Sequence, residues 1–251
     1  MRRLPNGNYC MSLFSVLNSL KRLKPPTCTV VIAAAGTSQR CKGEDKLFFS
    51  INDKPVIVYT IEAFESCKLI NDIIIVTRED RVEDIAKLCA QYSFKKVSLV
   101  IKGGQTRLES VLNGIHAASK KARLIAIHDG ARPCINTEII EQTIHKAEKI
   151  GAAAPAVAIA STVKKIENGV IESTVDRENL YEIQTPQIFR TEIIKAALTK
   201  AYKKSIEVTD DCMAVEMTGM SVHVVEGSRR NIKITTNEDF RIAEAFLSGE
   251  Y

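Results

Sequence analysis

Short runs of valine, isoleucine and alanine recur along this chain, and stretches with helical apolar spacing fill the gaps between them. The runs are Thr29–Ala34, Asp72–Thr77, Val97–Ile101, Arg123–Ile127 and Ala153–Ile159. The gaps hold Val56–Ser66, Arg81–Gln91, Arg107–Ser119 and Thr137–Ile150, each with apolar residues three and four apart. Near-continuous apolar strands that alternate with helices predict a parallel sheet covered on both faces. Helix punctuation agrees. Asn136 stands at a cap position, Glu138 in the first turn, and Gly151 beyond the last. There is no internal repeat, and 251 residues suit one large domain or at most two small ones. The expected fold is a doubly wound, mostly parallel α/β domain.

One segment departs from that rhythm. Thr162–Val175 carries Asn168-Gly169 at its centre, a strong type I′ hairpin signal. A lone hairpin cannot bury its own faces. It is expected to project as an arm, over residues 160–177, and to pack on a second subunit; folding back on its own domain is the alternative. Beyond it the pattern predicts a helix over Glu192–Lys203, a second helical stretch after Thr209, and strands Ser221–Val225 and Asn231–Thr235. A last helix is capped near Thr236 or Asn237.

The formal charge of +5 invites a polyanionic partner. Its placement withdraws the invitation. Residues 1–26 hold Arg2, Arg3, Lys21, Arg22 and Lys24 and no acid, leaving 30 basic and 30 acidic side chains in residues 27–251. Residues 1–26, closed by Pro25-Pro26, read as a basic, poorly ordered extension to a neutral body, and no nucleic-acid-binding module is recognisable. The longest apolar stretches, Val30–Ala35 and Ala152–Ala160, fall far short of the ~20 residues that cross a bilayer. Met11–Leu20 is the one candidate for a leader core, but four polar residues interrupt it and no A-x-A cleavage site follows. Cys10, Cys28, Cys41, Cys67, Cys89, Cys134 and Cys212 are odd in number and form no C-x-x-C pair. They read as reduced thiols of a cytoplasmic protein.

Ligands of open α/β sheets bind beyond the carboxyl ends of the strands. After the first run, Ala33–Lys46 reads A-A-A-G-T-S-Q-R-C-K-G-E-D-K. Its small residues and Gly36 permit close backbone approach, successive amides can wrap a phosphate, and Arg40 and Lys46 add cations. It matches neither the Walker loop nor the dinucleotide fingerprint, and a merely solvated loop is the competing reading. After the third run, Lys102–Ser110 carries Gly103-Gly104 into a helix start, exposing amides to an anion or a base edge, or forming an ordinary turn. The fourth run ends in His128-Asp129-Gly130-Ala131-Arg132-Pro133. There Asp129 suits Mg²⁺ carried on nucleotide phosphates, or an ion pair with Arg132 that shapes the turn. His128 reads as structural, and Lys233, alone among apolar neighbours, points either to solvent or into a pocket.

These pieces, in this order, resemble the bacterial and plastid family of 2-C-methyl-D-erythritol 4-phosphate cytidylyltransferases. The features that carry the resemblance are A-A-G-x-x-x-R…K, G-G-x-x-R-x-x-S, H-D-G-A-R-P, T-V-D-R, T-P-Q-x-F, T-D-D and N-I-K-I-T, running from about Thr27 to Leu247. The resemblance implies a Rossmann-like nucleotidyltransferase that joins CTP to methylerythritol phosphate with release of pyrophosphate, using Mg²⁺, and a homodimer formed through the arm. Carried over by position, Ala34, Ala35, Gly36, Gly104, Ser110 and Asp129 would hold CTP. Arg40 and Lys46 would stabilise the transition state. Arg177 and Lys233 would position the sugar phosphate, with Asp129, Arg132, Thr162, Thr185 and Thr209 lining its site and Arg177 acting across the subunit boundary.

Two departures stand out. Ser38 replaces the family's usual glycine, and the stretch between Arg40 and Lys46 is one residue short, with Asp45 where proline is common. An acid beside Lys46 is expected to weaken phosphate attraction or to shift the loop. Rival readings are a ribitol-5-phosphate cytidylyltransferase of the same fold, a nicotinamide-dependent oxidoreductase, which the missing G-x-G-x-x-G disfavours, and a non-catalytic nucleotide-binding module.

Overall fold

The computed structural model describes residues 27–36 and 45–249, with the short pairing of Arg2–Arg3 and Tyr9–Cys10. The remainder of the expected extension, and the 37–44 stretch bearing Ser38 and Arg40, lie outside the described residues.

The strands are β1 (Cys28–Ala34), β2 (Ser50–Ile51), β3 (Lys54–Pro55), β4 (Ile70–Thr77), β5 (Val97–Lys102), β6 (Leu124–Asp129), β7 (Ala152–Ala158), β8 (Val163–Glu167), β9 (Val170–Val175), β10 (Tyr181–Ile183), β11 (Gln187–Arg190) and β12 (His223–Glu226). The helices are α1 (Val56–Ser66), α2 (Val82–Gln91), α3 (Arg107–Ala117), α4 (Thr137–Ile150), α5 (Thr191–Lys203), α6 (Asp211–Glu216) and α7 (Asn237–Ser248). An eight-stranded sheet runs β5-β4-β1-β6-β11-β7, and β10 and β12 also pair with β7. Strand β1 pairs in parallel with β4 and β6, and β12 in parallel with β7. Strands β10 and β11 run antiparallel to their neighbours.

The sheet divides two cores. Alternation along β1 sends Val30 and Ile32 to one face and Val31 to the other. The first core gathers Ile57, Ile61 and Phe64 of α1, Ile85 of α2, and Ile140 and Ile144 of α4. The second gathers Val111 and Ile115 of α3, Ile194 and Leu198 of α5, and Val215 of α6. Helices on both faces of a mostly parallel sheet are the doubly wound arrangement that the strand–helix rhythm predicts.

Strands β8 and β9 form a separate two-stranded sheet, exposed along almost their whole length. Asn168 and Gly169 take φ of 50° and 81°, as a type I′ turn requires of both central residues.

The C-terminal third departs from the expected strands. Asn231–Thr235, expected as a strand, joins no ladder among the described residues. It runs extended across the carboxyl ends of the strands, tied by Ile234 N–H to the Ala131 carbonyl and by the Asn231 side chain to the Thr185 carbonyl. Alternating apolar residues stayed extended because Ile232 and Ile234 pack into the first core, without backbone partners in a sheet. Strands β10 and β11, for which no strand was expected, flank the cis Thr185–Pro186 peptide. They are too short for a period of two to be visible. Among the described residues Cys28, Cys67, Cys89, Cys134 and Cys212 are free thiols, and no helix is long and apolar enough to cross a membrane.

Candidate functional site

A cleft of about 450 Å³ opens at the carboxyl ends of β1 and β6. Its walls include Ala34, Ala35, Gly36, Lys46, Gly104, Ser110, Asp129 and Lys233, eight of the residues singled out in the sequence. Gly36 is exposed, and a side chain there would meet nothing within 4 Å among the described residues. Its bare backbone faces the cleft.

Packing does explain the glycine pair after β5. A Cβ on Gly103 would lie 2.6 Å from Ser110 Oγ, and one on Gly104 would lie 2.2 Å from Glu109 Cβ. The loop thus closes directly onto the first turn of α3. There Thr106 and Glu109 form a reciprocal capping box, and Glu109 Oε2 also accepts from the Gln105 amide at 2.5 Å. Ser110 Oγ donates to the Thr106 carbonyl and accepts from Gly104 N–H. The amides of Gln105, Thr106 and Glu109 are therefore engaged within the chain, as in the ordinary turn that was the alternative to amides exposed to an anion. Positive charge at this wall comes instead from the side chain of Arg107, which sequence reasoning passed over although it is the arginine of G-G-x-x-R-x-x-S.

Asp129 gathers cations at the cleft floor. Its Oδ2 lies 2.9 Å from Lys233 Nζ and 3.4 Å from Arg132 Nε, and its Oδ1 lies 3.8 Å from Arg107 NH2. Burial alone would raise this carboxyl; the Lys233 ammonium, followed by the Arg107 guanidinium, overcomes burial and holds it well below the usual carboxylate range. Of the two sequence readings of Asp129, the ion pair with Arg132 is present, and the carboxylate also lines the cleft.

Lys46 Nζ donates to the Ile234 carbonyl at 2.9 Å. Its acidic neighbour does not face the cleft. Asp45 Oδ2 pairs with Arg78 at 3.0 Å and with Arg81 at 3.5 Å, both on the turn between β4 and α2. The charge expected to weaken phosphate attraction is neutralised locally and anchors the end of the loop.

His128 is fully buried against the Phe64 ring. Its Nδ1 accepts from the Thr185 hydroxyl at 2.9 Å, and its Nε2 lies 3.3 Å from the Arg132 carbonyl, which fixes the proton on Nε2. Burial pushes its pKa down to about 3, so the ring is neutral and structural. Thr185 Oγ1 in turn accepts the Asp129 amide at 3.2 Å, placing Thr185 beneath the floor, not on the wall. Arg132 is likewise buried behind Asp129, donating to the Asn231 carbonyl. Three residues stand apart from the cleft lining within this chain. Thr162 is exposed at the base of the arm, Arg177 is exposed and donates to the Ala160 carbonyl, and Thr209 is exposed beside Met213.

The sequence model of the 2-C-methyl-D-erythritol 4-phosphate cytidylyltransferase family matches residues 28–249. The chain belongs to that family. A member from Clostridium acetobutylicum is 41% identical over 222 residues, covering 88% of this chain and 96% of the relative. One from Bacillus cereus is 42% identical over 220 residues, covering 87% and 97%. Among solved structures, a 4-diphosphocytidyl-2C-methyl-D-erythritol synthase from Anaerococcus prevotii superposes with a TM-score of 0.79 at 32% identity, over 89% of this chain and 97% of that one. The cytidylyltransferase from Francisella tularensis gives 0.75 at 28%, over 88% and 100%. The cleft occupies the carboxyl strand ends, where a family of this fold class places its ligand.

Proposed function

We propose that this chain transfers the cytidylyl group of CTP to 2-C-methyl-D-erythritol 4-phosphate, giving 4-diphosphocytidyl-2-C-methyl-D-erythritol and pyrophosphate in non-mevalonate isoprenoid synthesis. One observation carries the reading: Lys46, Arg107 and Lys233, from three separate stretches of chain, converge with Asp129 on one glycine-lined cleft.

A phosphate oxygen of the sugar phosphate attacks the α-phosphorus of CTP. The bond from that phosphorus to the α–β bridging oxygen breaks, and pyrophosphate leaves with the electron pair. A phosphate monoester is already a competent nucleophile, so no serine, cysteine or histidine is needed, in keeping with the buried neutral His128. Positioning and charge neutralisation dominate such chemistry. In this reading Ala34, Ala35, Gly36, Gly104 and Ser110 frame CTP, and Lys46, with Arg40 from the 37–44 stretch, neutralises charge growing on the phosphates. Lys233 and Arg177 hold the acceptor phosphate, with Arg132, Thr162, Thr185 and Thr209 shaping its surroundings.

Mg²⁺ suits this cleft as an ion carried on the triphosphate. Among the described residues there is no cluster of three or more metal-ligating side chains, and Asp129 is the one carboxylate on the wall. Mg²⁺ commonly takes one or two carboxylates plus substrate phosphates. When bound it would screen phosphate charge.

Arg177 and Thr162 lie at the base of the exposed arm, so in this reading the arm swaps onto a second copy and brings Arg177 to the partner's acceptor site. A cytoplasmic location fits the reduced thiols. The test is pyrophosphate release from CTP with methylerythritol phosphate or ribitol phosphate as acceptor, with NAD(P)H absorbance as a control. Turnover with ribitol phosphate alone, or with neither acceptor, overturns the proposal.

A further inference from the structure

Three residues from separate motifs meet beside the cleft, and the roles given above do not use their meeting. Arg107, the first residue of α3, has NH2 2.7 Å from Asp211 Oδ2 and 3.8 Å from Asp129 Oδ1. Asp211 is fully buried, and among the described residues its Oδ1 has no hydrogen-bond partner. Gln187 of β11 fastens the same turn. Its Oε1 accepts from the amides of Asp211 and Cys212, each at 3.0 Å, and its Nε2 donates to Asp210 Oδ2 at 2.7 Å.

A buried carboxylate with an unpaired oxygen costs free energy. Helix α6 does not require it, because Asp210 already caps the Met213 amide at 2.9 Å. What the carboxylate does hold is a guanidinium on the cleft wall, and charge-assisted pairs of this kind fix geometry strongly. The two acids near Arg107 are also unequal. Asp129 already serves Lys233 and Arg132, and the shorter contact to Asp211 draws Arg107 off it.

We propose that Asp211 is a positioning residue: with its backbone pinned by Gln187, it clamps Arg107 so that the guanidinium meets the bound nucleotide and leaves Asp129 to Lys233. This builds on the CTP reading. It also links the Thr209–Asp211 turn, on the acceptor side, to the nucleotide side through one side chain.

The experiment measures Mg²⁺–CTP affinity by calorimetry, and KM and kcat for CTP, in Asp211→Asn, Asp211→Glu, Arg107→Met and the Arg107→Met/Asp211→Asn pair. We expect Asp211→Asn to weaken CTP binding about tenfold, or about 1.4 kcal/mol. The rise should fall more on KM than on kcat, Asp211→Glu should restore most of it, and the double variant should be no worse than Arg107→Met alone. Wild-type affinity in Asp211→Asn, or full additivity in the double variant, overturns the proposal. If Asp211→Asn does not fold, Gln187→Met, which frees the same turn, must weaken CTP binding in the Arg107 background-dependent way, or the proposal falls. A wild-type chain that binds CTP without using methylerythritol phosphate overturns the proposed function while these affinities still decide the role of Asp211. A wild-type chain that binds no CTP overturns both.

Discussion

Lys46 Nζ donates to the carbonyl of Ile234 at 2.9 Å, a bond between positions 188 residues apart in sequence. It places the cation that closes the first loop next to the segment that carries Lys233. Lys46→Ala and Lys233→Ala should therefore each lower kcat/KM for CTP turnover by about 10²–10³-fold, the usual cost of losing one preorganised contact to developing charge. Steady-state pyrophosphate release measures this, and near wild-type rates would exclude both residues from the chemistry.

Asp45 supports Lys46 from outside the cleft. Asp45→Asn breaks its pairs with Arg78 and Arg81, leaving Arg78 to Asp80 and Arg81 to Asp84. A loss of about 1 kcal/mol of stability is expected, together with a fall in kcat as the loop end beside Lys46 loses its tie to Arg78 and Arg81. Thermal melting and turnover should move together; an Asp45→Asn enzyme faster than wild type would restore the view that this acid opposes phosphate binding.

Gly104→Ala sets a methyl group 2.2 Å from Glu109 Cβ. The capping box must shift to admit it, so stability should fall by about 1–3 kcal/mol and KM for CTP should rise. Chemical denaturation with CTP titration checks both effects.

His128 gives the folded chain a pH slope. Its folded pKa of about 3 lies below the ordinary 6.5, so between those values the unfolded chain takes up a proton that the native site refuses. Stability is unaffected above pH 6.5 and falls as pH drops below it, by up to about 1.4 kcal/mol per unit. Asp129, whose pKa is depressed, contributes stability above the ordinary carboxylate range that is lost only in stronger acid, so it does not enter between pH 7 and 5. Urea unfolding across that window should be flatter for His128→Gln than for wild type.

The arm exposes Ile166 and Ile171, paired across its two strands at 62% and 60% exposure. If the arm forms the proposed dimer, Ile171→Asp should yield a monomer on sedimentation and lower activity, because the proposed reach of Arg177 into the partner's site would be lost. A wild-type chain that sediments as a monomer at working concentration would overturn the arm's proposed role.

The sequence was most legible where local pattern and tertiary demand coincide. Val30 to Ile32 could only be a strand buried on both sides, and Asn168-Gly169 could only turn one way. It was less legible at Arg107 and Asp211, because a charged residue at a helix start normally serves that helix. Here each serves the other across 104 residues, and only the fold brings them together. The Asn231–Thr235 segment misled for a related reason. Its alternation is real, but what it records is a core on one side and a cleft on the other, without a neighbouring strand.

That segment has an evolutionary consequence. Lys233 and Thr235 reach the cleft on a strap held by a few tethers, Ile234 to Ala131 and Asn231 to Arg132 and Thr185 among them, outside the sheet's ladders. If the proposed reaction holds, substitutions along the strap would alter the contacts that Lys233 and Thr235 offer the acceptor without disturbing strand register.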